Sequence, residues 1–383
     1  MTVTPPIREL VILTPSYTPA IGGAAVYYPL LARTLLDANV AARVTVLTER
    51  HPDRADPATA HEGRLVVHGI RPFRAGSPAR QRTRHLRYIL GEACHAALLG
   101  RAWPADSVLL VHASLHYHPS SLGAVLRTLR RRNDRPRLVA DVRDPLLPQR
   151  AFGALAPYDA VLACGRRVTA HLFADPAVAA KLTEIPAPLG PVAPPADPAV
   201  TAQRHGLVPG RDLLWPHGML RRKNLDLALA AIRELRAQGQ VDAALAIAGG
   251  SRDRDKAVDR ALDRGEARYL GPVEPAEMPA LAAAAAGVID IAGIEGMPRA
   301  MLEAIGAGAR VLLPPGIPEF DHHCPGHIAD TRSPAALAAQ LGRLRMGPWP
   351  PAPYPVTAHA AERLAPAYRA VLAPRQEERP CAS

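Results

Sequence analysis

The chain has 383 residues, 48% hydrophobic and 21% charged, which suits two domain-sized cores and excludes a disordered polymer. Its four cysteines, Cys94, Cys164, Cys324 and Cys381, lie far apart without a C-x-x-C pair, which argues against a zinc cage or a disulfide framework. The net charge of +11 is an arginine charge, because Lys181, Lys223 and Lys256 are the only lysines; no recognition motif or aromatic-and-basic stripe accompanies it, so no nucleic-acid partner is expected.

The first half opens with "ELVILTPSY" as a strand, "IGGAAVYYPLLARTLLDA" as a glycine turn into a helix, and "RVTVLTE" as a second strand. Further strands are predicted at "RLVVHGI", "SVLLVHAS", "PRLVADVRD" and "YDAVLAC", with helices near residues 80 to 100 and 119 to 132. That alternation predicts a doubly wound α/β domain over residues 1–185. Residues 186–198 lie in "IPAPLGPVAPPADP", where the prolines forbid helix and ladder alike, and predict an extended linker. The rhythm restarts over residues 199–350. "DLLWPHG", "AALAIAGG", "ARYLGPV" and "GVIDIAG" are the strands, alternating with the helices "NLDLALAAIRELRAQG", one around 253 to 264, and "AEMPALAAAAA". After "MGPWPPAPYP" the tail has helical spacing over about 356–374, and is expected to cross back onto the first domain. Two such sheets are expected to offer their carboxyl ends to one cleft.

Three stretches carry the chemistry. In "GIEGMPRAMLEAIGAGARVLLP", Pro298 suits a first helical position, and the helix start favours an anion such as a diphosphate. Glu295 before the helix is suited to accept hydrogen bonds from sugar hydroxyls, and Glu303 inside it from a ribose. The alternative is that Glu303 pairs with Arg299 on a solvated face while Glu295 is a loop charge. In "WPHGMLRRKNLD", Arg221, Arg222 and Lys223 follow Gly218 at a strand-to-helix turn, where they suit a departing diphosphate or form an ordinary basic loop. In "TPAIGGAAVYY", Gly22 and Gly23 either let a ligand approach the backbone or simply turn the chain; the pattern is neither G-x-G-x-x-G nor a P-loop.

The order of these motifs (a Gly-Gly loop, a glycine-to-lysine turn, "AGG", "YLGPV", then E-x7-E) resembles glycosyltransferase family 4 from about Leu10 to Leu344. The resemblance implies a GT-B fold, two Rossmann-like doubly wound domains facing a central cleft, with an acceptor domain first and a donor domain second. It implies a retaining transfer from a nucleotide-diphosphate sugar, UDP by family frequency, to a hydroxyl acceptor, either a small molecule or a lipid-linked glycan. Neither a metal nor a cofactor is implied, the nucleotide sugar being a co-substrate. Carried over, Lys223 contacts the diphosphate, Glu295 lies near the transferred sugar and Glu303 on the ribose. Gly22 and Gly23 lie near phosphate and acceptor, the backbone of Met297, Arg299 and Ala300 meets phosphate and sugar, and that of Pro272 and Val273 meets the base.

The departures fall mostly on the acceptor side. Met219 follows Gly218 where the family has arginine, so Arg221 or Arg222 must replace it. In "LLVHASLHYHPSS" His112 fits the first histidine of a His-x-His pattern, but Ser114 stands at the second, with His116 and His118 as substitutes. "DVRDP" stands in place of a histidine-bearing loop, which makes Arg143 and Asp144 acceptor-side candidates. A nucleotide-sugar epimerase on the same fold is the nearest rival, and a non-catalytic sugar-nucleotide- or nucleic-acid-binding protein the next. No signal peptide or bilayer-length apolar run is read, so a cytoplasmic location is expected, and the basic stretch 79–103 suits contact with an inner membrane face.

Overall fold

The computed structural model describes residues 6–20, 22–70, 97–104, 106–113, 121–190, 197–251 and 254–373. Residue contacts divide the chain into two units: Met1–Pro188 with Ala361–Ser383, and Leu189–Ala360.

In the first unit, β1 (Glu9–Leu13), β2 (Val44–Glu49), β3 (Ala58–Ala60), β4 (Leu65–Ile70), β5 (Ser107–His112), β6 (Arg137–Val142), β7 (Ala160–Ala163) and β8 (Leu182–Glu184) form a sheet in the order β3-β4-β2-β1-β5-β6-β7-β8. All pairings are parallel except β3 against β4. β1 and β5 are buried throughout, as expected of parallel strands covered on both faces. Strand order runs outward from β1 in both directions, so a topological switch point lies between β1 and β5. The helix Gly23–Asp37 puts Tyr28, Leu31 and Leu35 into the core, and the helix Ala361–Leu372 adds Leu364, Tyr368 and Leu372 to the same cluster.

In the second unit, β9 (Leu213–Trp215), β10 (Leu245–Ala248), β11 (Ala267–Gly271), β12 (Gly287–Ile289) and β13 (Val311–Leu312) form an all-parallel sheet ordered β11-β10-β9-β12-β13. Its switch point lies between β9 and β12. The helix Leu225–Ala237 turns Leu225, Ala228, Leu229, Ile232 and Leu235 inward at helical spacing, against Leu337, Leu341 and Leu344 of the helix Pro334–Met346.

Several expectations need correction. β3, β8 and β13 are too short, at two or three residues, to show an apolar period. The helix Pro334–Met346 was also not expected. "GVIDIAG" yields a strand only to Ile289; the Asp290 amide still donates to the Leu312 carbonyl at 3.0 Å, and its carboxylate accepts from the Ala292 amide at 3.0 Å as the chain turns away. The tail is not one helix over 356–374: Val356–His359 is a 3₁₀ turn of the second unit, where the His359 carbonyl accepts from the Leu189 amide at 2.9 Å, and Ala360 is extended before the helix begins. Most of the helix expected near 80 to 100 lies outside the described residues, as do residues 191–196 of the proline-rich stretch. Among the described residues no helix is long and apolar enough to cross a membrane.

Candidate functional site

Every candidate of the second unit lies at the carboxyl edge of its sheet. The turn after β9 carries Gly218 to Lys223, the turn after β11 carries Pro272 and Val273, and the loop after β12 carries Glu295 into the helix Arg299–Gly306. Lys223 and Glu295 therefore flank the switch point from neighbouring strands.

The turn after β9 is held in three ways. Trp215 donates its indole N–H to the Gly218 carbonyl at 2.8 Å. Gly218, at φ +63°, sits against the Gly249–Gly250 turn, and its amide donates to the Ala248 carbonyl while the Met219 amide donates to that of Gly250, both at 2.7 Å. Asn224 adopts φ +65°, which asparagine tolerates, and donates its side-chain amide to the Ile291 carbonyl at 2.8 Å. That bond ties the β9 turn to the β12 loop. Met219, where the resembling family has arginine, is a core residue.

So fixed, Lys223 is buried with its ammonium directly on the Glu295 carboxylate. Arg222 is exposed, and its guanidinium lies 3.9 Å from the same carboxylate oxygen. Arg221 is turned to Asp255 instead. Of the two arginines, Arg222 is thus the one beside the Lys223–Glu295 pair.

Pro298 precedes the helix rather than opening it: its carbonyl accepts from the Met301 amide at 3.0 Å and the Leu302 amide at 3.3 Å. The amides of Arg299 and Ala300 come before that ladder begins. Met297 is buried beside them. Arg299 and Glu303 form the i, i+4 pair, with Nε 2.7 Å from the carboxylate, but the face is not solvated, since the two side chains are only 18% and 15% exposed. Burial pushes the Glu303 carboxyl above its ordinary range, and the Arg299 charge offsets this only in part.

Beneath these residues is a pair that the sequence analysis missed. Asp290, fully buried directly after β12, has a carboxylate oxygen 3.1 Å from Nε2 of His217, whose side chain is 8% exposed. Burial lowers the His217 imidazole below its ordinary value, and the charges of Lys223 and Arg222 act in the same direction against the pull of Asp290. For Asp290, burial works upward, but the charges of His217 and Lys223 prevail and hold the carboxyl at about 2. A single histidine in "WPHG" and a single aspartate in "VIDIA" carry no spacing signal of their own.

In the first unit His112 ends β5 at the switch point, buried, with Nδ1 3.3 Å from the Thr14 hydroxyl and its ring 5.2 Å from that of Tyr28. Tyr28 donates to Asp141 at 2.9 Å, and burial raises the Asp141 carboxyl. Arg143 stacks its guanidinium 3.5 Å over the Tyr27 ring, 3.9 Å from Asp141, and its side chain is 16% exposed. Asp144 accepts from the Leu146 amide at 3.0 Å. Gly22 and Gly23 are exposed at the start of the helix Gly23–Asp37, with no atom within 4 Å of where a Cβ would stand. Ser114, His116 and His118 lie outside the described residues.

Two Rossmann-like units built on parallel sheets define the GT-B fold class. Residues 211–345 match the family model described as "Glycosyl transferases group 1". No curated protein matches the chain by sequence. Solved structures share the fold at low identity. Sucrose-phosphate synthase from Thermosynechococcus elongatus aligns with TM-score 0.67 at 15% identity, covering 95% of this chain and 96% of that one. The UDP-forming α,α-trehalose-phosphate synthase from Burkholderia xenovorans, in complex with glucose-6-phosphate, aligns with TM-score 0.66 at 13% identity over 95% and 98%. HepE from Anabaena, in complex with UDP and glucose, aligns with TM-score 0.65 at 14% identity over 95% and 98%.

Proposed function

We propose that the protein is a retaining glycosyltransferase that takes a sugar from a nucleotide diphosphate, a UDP-sugar by preference, and passes it to a hydroxyl acceptor. The observation that carries this is the buried Lys223–Glu295 pair, with Arg222 beside it, at the switch point between β9 and β12. The group 1 glycosyltransferase match over residues 211–345 supports it, as do neighbours whose structures hold UDP, glucose or glucose-6-phosphate.

In this reading the diphosphate competes with Glu295 for the Lys223 ammonium. Glu295 is released toward the sugar hydroxyls as the phosphates arrive. Arg222 and the amides of Arg299 and Ala300 add positive charge where the departing diphosphate gains negative charge, so their stabilisation grows toward the transition state. Glu303, oriented by Arg299, faces the ribose, and the backbone of Pro272 and Val273 meets the base. No side chain is assigned as a nucleophile; the departing phosphate oxygen takes the acceptor proton on the same face. Gly22 and Gly23 lie near phosphate and acceptor, His112 is a catalytic candidate, and Arg143 and Asp144 are assigned to the acceptor side, with a sugar or sugar phosphate as the acceptor class.

The test is calorimetric binding of UDP-, GDP-, ADP- and dTDP-sugars to the wild type, Lys223→Gln and Glu303→Ala, followed by product analysis with sugar and sugar-phosphate acceptors. The expected result is one nucleotide bound, with roughly tenfold or greater loss in Lys223→Gln as a charge-assisted contact disappears. Binding of none of the four would overturn the proposal, and a changed sugar nucleotide formed without acceptor would turn it to epimerisation.

A further inference from the structure

His217 and Asp290 are an unusual pair to find buried at a sheet edge. Asp290 is fixed by its backbone amide on the Leu312 carbonyl and by one carboxylate oxygen on the Ala292 amide, both at 3.0 Å. Its other oxygen lies 3.1 Å from Nε2 of His217, and among the described residues neither atom has another hydrogen-bond partner. The His217 ring is held edge-on to Trp215 at 5.5 Å. Two buried polar atoms with only one another for a partner form a pair that responds strongly to any change in the charge around it.

The charged groups that act on His217 are Asp290 from the β12 edge and Lys223 and Arg222 from the turn after β9. The two cations oppose an imidazolium and the aspartate favours one. Glu295 lies against both cations.

We propose that His217 and Asp290 are a positioning pair beneath Lys223, and that His217 binds one proton when an anionic diphosphate replaces Glu295 at the Lys223 ammonium. The inference rests on the donor-site reading above. A diphosphate carries more negative charge than the carboxylate it displaces, so it neutralises Lys223 and Arg222 more fully and removes their opposition to a charged ring. Asp290 then dominates. The neutral ring keeps its hydrogen on Nε2, toward the carboxylate; the new N–H bond forms at Nδ1, its proton comes from solvent, and it returns to solvent when the diphosphate leaves. The change in local potential raises the His217 titration. An imidazolium locked to Asp290 holds the β9 turn, and with it Lys223, at the sheet edge while Glu295 is occupied elsewhere.

The test is calorimetric titration of the protein with UDP and with inorganic pyrophosphate, in buffers of contrasting ionisation enthalpy, for the wild type, His217→Gln and Asp290→Asn. The ligands' own phosphate titration is common to all three proteins and cancels in the difference. The expected result is proton uptake in the wild type beyond that of His217→Gln. Wild-type affinity should gain roughly a few-fold over His217→Gln as pH falls from about 8 to about 6. Asp290→Asn provides a second measure should His217→Gln fail to fold, since without the facing carboxylate the uptake should fall. Binding with the same proton balance in wild type and variants would overturn this inference and leave the donor site standing. Binding of neither ligand would overturn this inference, and the donor-site reading with it only where all four nucleotide sugars also fail to bind.

Discussion

Substituting Gly218 by alanine tests whether the crossing of two glycine turns is what fixes the Lys223 turn. At φ +63° an alanine is strained by about 1–2 kcal/mol through its backbone alone. Its Cβ would stand 2.3 Å from the Gly250 carbonyl oxygen and 2.7 Å from the Gly250 nitrogen, backbone atoms with no rotamer to yield. Relief requires the two turns to part, which weakens the Gly218-to-Ala248 and Met219-to-Gly250 hydrogen bonds, each worth about 1 kcal/mol. The total is about 3–4 kcal/mol. Gly210 is the control: it has φ +66° but open space around its would-be Cβ, so Gly210→Ala loses only the backbone term. For a unit of about 170 residues, scanning calorimetry should show Gly218→Ala melting roughly 10 °C below wild type and Gly210→Ala roughly 3 °C below. If the two variants melt within a degree or two of one another, the crossing does not hold the turn and the reasoning fails.

Acid should weaken the second unit in two stages. The His217 titration is depressed by folding, so the unfolded chain takes the proton first and stability falls as pH drops below about 6.5; Asp290, held at about 2, then loses roughly 2 kcal/mol between about pH 4 and pH 2. Urea midpoints across pH should show both stages, with the lower one absent in Asp290→Asn. In the first unit, Tyr368→Ala removes a side chain 1% exposed whose hydroxyl lies 3.3 Å from that of Tyr27, and should destabilise by about 3–5 kcal/mol. Hydrogen exchange should then quicken in the helix Gly23–Asp37 while β9 and β10 keep their protection; unchanged exchange in that helix would show that the carboxyl-terminal helix is not part of its core.

Much of the sheet architecture was legible because parallel strands buried on both faces leave continuous apolar runs, and "ELVIL", "SVLLVH" and "LAIA" are such runs. Elements without that signature were lost. Val311–Leu312 is a strand only because β12 offers it a parallel ladder, and Leu182–Glu184 because β7 does. The end of the second unit is tertiary in the same sense. Nothing in "VTAHAAERL" says where the helix begins, because the His359 carbonyl is engaged by the Leu189 amide, far away in sequence.

The site divides along the same line. Lys223 and Glu295 are singled out by motif order, and the structure buries them against one another: a lysine 5% exposed needs an anion, and Glu295 supplies it. Arg221 and Arg222 were indistinguishable by sequence, and what separates them is Asp255, whose placement after β10 draws the first away and leaves the second beside Glu295. His217 and Asp290 were invisible because their meaning lies in strand order. Residues far apart in sequence become neighbours only because β12 returns to pair with β9. A switch point brings together residues from the two ends of a sheet's history, so a charge pair built there is the part of such a site that linear motifs read least well.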